Sequence, residues 1–151
     1  MVFIMLLALI SAKVSEKSSR LISTAVWLLQ CIIHCEREKT GASIDGIIAF
    51  GDYINHAIME YAEFSMAFHH LYAAKMVYLQ GRTLRTTQSF QKWYRENVPQ
   101  GKRPAYDKEA KKLTAYLEQK ISKPVSRKIT ISETQFNAAI RRYQESWKDK
   151  L

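Results

Sequence analysis

The stretch IDGIIAFGDYINHAIMEYAEFSMAFHHLYAAKMVYLQ, residues 44–80, decides the fold. Its apolar residues recur three and four apart. At about 100° per residue, Ile47, Phe50, Ile54, Ile58, Tyr61, Phe68, Tyr72, Met76 and Leu79 fill one wide arc. Ser43 stands in front as an N-cap, and Asp45 in the first turn faces the positive end of the helix dipole. Gly51 interrupts the run without ending it, and Gly81 closes it. The pattern predicts one long helix over about 44–80, apolar around most of its circumference and therefore central to its domain.

Working toward the amino terminus, Leu21, Ile22, Ala25, Leu28, Leu29, Ile32 and Ile33 share one face of an earlier helix. Arg20, Ser23, His34 and Glu38 lie opposite. That helix should stop near EKTGAS, where Gly41 can take a left-handed cap. Before it, MVFIMLLALISAKV is apolar on every side up to Ile10, as in a helix surrounded by protein. Ten apolar residues are half of the roughly 20 that a membrane span needs. No Lys or Arg precedes Lys13, so the basic leader of a signal peptide is missing.

Toward the carboxy terminus a shorter helix starts at Thr86 or Thr87 and carries Phe90, Trp93 and Tyr94. Pro99, Gly101 and Pro104 mark a loop near 97–106. Tyr106, Ala110, Leu113, Leu117 and Ile121 space out another helix, which Pro124 ends. RKITI alternates and suits a short extended segment. Ser132 with Gln135 forms the S-x-x-Q capping box of a last helix, striped by Phe136, Ala139, Ile140, Tyr143 and Trp147. With only 5 Gly and 3 Pro in 151 residues, tight turns are scarce. We therefore expect an all-α single-domain bundle of five or six helices around the long central one.

Charge divides the chain. Residues 1–80 carry a net −1, whereas residues 81–151 carry a net +10. The first part reads as an apolar scaffold and the second as a basic helical layer whose field attracts polyanions. Candidate phosphate contacts are Arg82, Arg85, Lys92, Arg95, Lys111, Lys112, Arg127, Lys128, Arg141 and Arg142. Lys102, Arg103 and Lys108 add to the same excess. Trp93 and Trp147 could stack on bases, although such spacing is more often core. ISETQFNAAIRRY resembles the start of a recognition helix, but about ten residues separate it from the preceding helix, where a helix-turn-helix uses three or four.

Other chemistries find less support. Asp45, Asp52, His56, Glu60, Glu63 and His70 fall within about a quarter of the long helix's circumference. His56, Glu60, Glu63 and His70 are thus candidate metal ligands, yet the paired Glu-x-x-His of di-iron bundles is missing. A narrow solvated or salt-bridged stripe is the preferred reading, with a seam that docks the chain's own basic half or a partner as a lesser alternative. Cys31, His34 and Cys35 share one turn without a second ligand pair. The two thiols, roughly 5–6 Å apart on a helix, are too distant for a bridge and suit a reducing cytoplasm. Phosphate-binding glycine loops, nucleophile elbows and H-E-x-x-H are absent. No cofactor is expected, and nothing in the chain proposes an enzyme.

The sequence therefore leads to a non-enzymatic nucleic-acid-binding protein, DNA or RNA, that grips mainly the backbone. The alternative is a helical adaptor or inhibitor that binds an acidic protein surface, or a homo-oligomer formed through residues 1–10.

Overall fold

The structure is a computed structural model describing residues 2–120 and 129–151. It is an all-α bundle of six helices with one small hairpin. In chain order these are α1 (Val2–Cys35), α2 (Ile44–Asn55), α3 (Tyr61–Ala73), β1 (Val77–Gln80), β2 (Thr83–Thr86), α4 (Gln88–Asn97), α5 (Tyr106–Lys120) and α6 (Glu133–Lys148).

The long element is α1, not residues 44–80. Its second half is the spine of the core: Ala25, Val26, Leu28, Leu29, Cys31 and Ile32 are all buried. These positions point in several directions, so neighbours must enclose the helix, and α2, α3, α5 and β2 all pack on it. The predicted face Leu21–Ile33 is present but too narrow a description. The polar stretch after Ile10 does not split the helix.

Residues 44–80 break twice, both times at a non-glycine residue in the left-handed region. His56, at φ 52°, ends α2 with its N–H donating to the Asp52 carbonyl. Glu60 then opens α3, its N–H donating to the Glu63 side chain at 2.9 Å. Lys75, at φ 57°, ends α3 in a Schellman arrangement: the Met76 N–H donates to the Leu71 carbonyl at 3.0 Å. The chain leaves as a strand. β1 and β2 pair antiparallel with Gln80 opposite Thr83, joined by the two-residue turn Gly81-Arg82. Gly81 takes φ 61° at the first central position, as a type II′ hairpin turn requires. Gly51 breaks nothing. It lets α1 come close, since an added Cβ would sit 3.3 Å from Trp27 Nε1 and 3.4 Å from Cys31 Sγ.

The later helices follow their sequence signals. Thr87 caps α4 by accepting the Phe90 N–H, and the Ser132–Gln135 box caps α6. Residues 121 to 128, with Ile121, Pro124 and the first two residues of the RKITI segment, Arg127 and Lys128, lie outside the described residues. Ile129 to Ser132 form no strand. Instead Ile131 is buried, and Thr130 Oγ1 donates to the Gly81 carbonyl at 3.0 Å. α6 docks on α2 and α3: Phe136 stacks on Phe64 at 4.8 Å and meets Tyr61 edge-on at 5.7 Å. α5 packs on α1, so these two helices do not form the docked pair of a helix-turn-helix.

The opening turns of α1 depart most from expectation. Residues 4–20 are exposed throughout, so the described residues do not enclose the apolar segment.

The connection from α1 to α2 turns on Gly41, at φ 69°, where an added Cβ would fall 2.8 Å from Thr83 Oγ1. Its neighbour Ala42 exchanges both backbone hydrogen bonds with Leu84. Gly41→Ala should therefore lower stability by about 2 kcal/mol or more, from left-handed strain plus the clash. Phe136→Ala should cost about 3–5 kcal/mol by opening a cavity between α6 and α3. Chemical denaturation of both variants against the parent checks these values.

Candidate nucleic-acid interface

The basic residues sort into two groups. The first follows α4, the loop after it and the start of α5. Lys92, Arg95, Lys102, Arg103, Lys108, Lys111 and Lys112 are all exposed, and none forms an ion pair with another described residue. Ring packing joins the two helices: Trp93 stacks on Tyr116 at 3.8 Å, and Phe90 lies 6.3 Å from the same ring. Trp93 is thus part of the packing and not a free stacking platform. Lys102, Arg103 and Lys108 line a cavity of about 300 Å³ together with His34, Tyr94 and Glu109.

The second group lies where the hairpin meets α6. Arg82 and Arg142 line a cavity of about 330 Å³ with Asp45 and Gln135. Arg142 is already engaged, its Nε and Nη2 donating to Asp45 at 3.0 and 3.1 Å. Arg141 is exposed beside it. Arg85 is a poor phosphate contact. Its half-buried guanidinium donates to Glu36 at 3.4 Å, to Gln80 at 3.0 Å, and to the carbonyls of Arg37 and Glu38. Glu36 also accepts from the Thr86 hydroxyl at 2.6 Å, so Arg85 pins the hairpin to the end of α1.

Under the first group lies a polar cluster that no local pattern announces. Glu109 of α5 is buried at 7% exposure. His34 Nε2 lies 3.0 Å from both its oxygens, the Tyr94 hydroxyl donates at 2.6 Å, and Gln30 Nε2 donates at 3.1 Å. Gln30 also donates to the Tyr106 carbonyl at 3.0 Å. Three helices are joined through one carboxylate. Burial alone would push the Glu109 carboxyl up, but the hydrogen bonds from His34, Tyr94 and Gln30 outweigh it and hold the carboxyl below its ordinary range. Burial, then the bond to Glu109, pushes the Tyr94 phenol up. His34 is boxed in by Phe50 and Tyr106, each 5.2 Å away between ring centres.

The metal candidates are not assembled. His56 caps α2, Glu60 and Glu63 cap α3, and His70 lies in the last turn of α3. Among the described residues no three His, Cys, Asp or Glu side chains gather to hold a metal ion. The acidic stripe serves as a seam on α2, where Asp45 takes Arg142 and Asp52 accepts the Tyr143 hydroxyl at 2.6 Å. Cys31 is buried and Cys35 partly so. Burial raises both thiols above their ordinary range, which suits packing and not nucleophilic chemistry.

The chain matches no protein-family model, no curated protein and no solved structure. Its site is therefore read from geometry alone. Gln30, Tyr94 and Glu109 escaped sequence reasoning as a group because their partners are far apart in sequence. The one available signal was an unbalanced Glu on the inner, Leu113-side face of α5.

Because Glu109's carboxyl lies below its unfolded value of 4.5, its contribution to stability is present above that pH and is lost as pH falls through the folded value. Glu109→Ala should cost about 2–3 kcal/mol at neutral pH by leaving the Tyr94 and Gln30 donors unpaired. The gap between parent and Glu109→Gln should narrow on acidification below about pH 4.5. Urea titrations at several pH values check both.

Proposed function

We propose that the protein binds nucleic acid through its phosphate backbone, using the exposed layer formed by α4, the following loop and α5. The observation that carries this reading is the run of seven exposed cations from Lys92 to Lys112, none ion-paired with another described residue. Five are on α4 and α5 and two in the loop between them, with Trp93 of α4 stacked on Tyr116 of α5. Cations held on a rigid frame and left without internal partners keep their charge for an external polyanion. Of the acidic residues among them, Glu109 is spent on His34, Tyr94 and Gln30, which leaves exposed Glu96 and Asp107 against the seven cations.

Lys102 and Arg103 in the loop, with Lys108, Lys111 and Lys112 on α5, are the principal phosphate contacts in this reading. Arg82 and Arg141 form a secondary patch. Arg85 and Arg142 are structural and drop out of the contact set. No aromatic ring is free enough in the first group to read bases, so binding should depend weakly on sequence.

Five phosphate contacts give a log–log salt slope of about −4 to −5 on duplex DNA. Fluorescence anisotropy with labelled duplex DNA and single-stranded RNA measures it. Lys111→Glu with Lys112→Glu should weaken binding by about tenfold or more and flatten the slope by about two. Binding undetectable at low ionic strength, or unmoved by salt, rules the reading out.

A further inference from the structure

The opening turns of α1 carry Ile4, Met5, Leu6, Leu7, Leu9 and Ile10 between 52% and 72% exposed. The positions are nearly consecutive, and at about 100° per residue they point in every direction around the axis. A protein groove covers one side of a helix, and a paired helix from a second copy takes a single seam. The neighbouring cleft of about 670 Å³ mixes serines of α1 with Val14, Ile22, Val26 and Trp27, and it covers one side of the helix further along, not the all-round apolar turns before it. A surface apolar on all sides is matched by a medium that surrounds it.

Length and charge point the same way. The exposed apolar stretch 4–10 measures about 10 Å along the axis at 1.5 Å per residue, within the roughly 15 Å of one hydrocarbon leaflet. No described helix is long and apolar enough to cross a membrane. Lys13, Lys17 and Arg20 then follow within two turns, against Glu16 alone, and all are exposed. Their long stems can reach lipid phosphates while the turn before them stays in the acyl layer.

We propose that the apolar opening of α1 embeds in one leaflet of an anionic bilayer, with Lys13, Lys17 and Arg20 against the headgroup phosphates. This hold is peripheral and spans nothing. It is independent of the nucleic-acid reading, since it uses none of the same residues.

Flotation of the full chain tests it, with phosphatidylcholine vesicles containing about one-third phosphatidylglycerol against phosphatidylcholine alone. The chain should float with the anionic vesicles and bind the neutral ones about tenfold less. Leu6→Asp with Leu9→Asp should reduce binding to the anionic vesicles by about tenfold or more, and Lys13→Glu with Lys17→Glu should erase the anionic preference. All four side chains are exposed, so circular dichroism and the unfolding midpoint should not move. Lys111→Glu with Lys112→Glu should still float, which separates failure here from failure of the nucleic-acid reading. Absence of flotation, or flotation indifferent to Leu6→Asp with Leu9→Asp, overturns the proposal. Equal binding to neutral vesicles overturns the headgroup assignment. A lipid-free oligomer that Leu6→Asp with Leu9→Asp dissolves, without flotation of the parent, assigns the patch to a second copy and overturns it too.

Discussion

The enclosure of the second half of α1 is the constraint on which the rest depends. Leu28, Leu29, Cys31 and Ile32 are wholly buried, and Ala25 and Val26 nearly so. No single neighbour can cover residues that point around most of a helix, so α2, α3, α5 and β2 must all lean on it. Fully burying one such aliphatic side chain contributes about 1.5–3 kcal/mol, and the cluster drives the assembly. Polar contacts then fix which neighbour sits where. Glu109 meets Gln30 and His34 and sets α5 against the end of α1, while Arg85 and Glu36 set the hairpin beside it.

This arrangement decides where charge can go. α4 and α5 each give only a few residues to the interior: Phe90 from one, Leu113 and Leu117 from the other, with Glu109 buried in its cluster. Apart from the partly buried Trp93, Tyr94, Ala110 and Tyr116, both helices face outward, and six of the seventeen lysines and arginines of residues 81–151 lie on them. α6 behaves differently. It is wedged against α3 through Phe136 and against α2 through Tyr143, so Arg142 falls beside Asp45 and is neutralised there. The positive excess read from the sequence is thus two populations, one spent on holding helices together and one left outward.

How much of this was legible follows from the range of the interactions involved. α4, α5 and α6 were readable because their signals are local: Thr87, the 98–105 loop with its prolines, and the Ser132–Gln135 box act within a turn or two. Residues 44–80 were misread because both helix ends use ordinary residues, His56 and Lys75, in the conformation that sequence reasoning reserves for glycine. The strand Val77–Gln80 was hidden too, since four residues are too few to separate a period of 2 from one of 3.6. Residues 4–10 show the reverse failure. An all-round apolar pattern states that the helix needs a surrounding medium, but not that this chain supplies it. The Glu109 cluster joins residues more than seventy positions apart along the chain, so no window could hold it.

The direction of α5 relative to α1 bears on how the two proposed surfaces would coexist. Gln30 and His34 meet the first turn of α5, whereas Glu118 near its last turn borders the cleft that runs up to Ser11. The helices are therefore antiparallel, and the Lys102–Lys108 cavity lies at the His34 end of α1. From Arg20, the last of the lipid-side charges, to His34 the axis rises about 21 Å at 1.5 Å per residue. That is more than twice the screening length of about 8 Å at physiological salt. A phosphate chain held at one end and a lipid surface at the other would not compete for the same field. Each surface would titrate with its own charges, so mutations in one should leave the affinity of the other unchanged, unless α1 itself bends or unwinds between them.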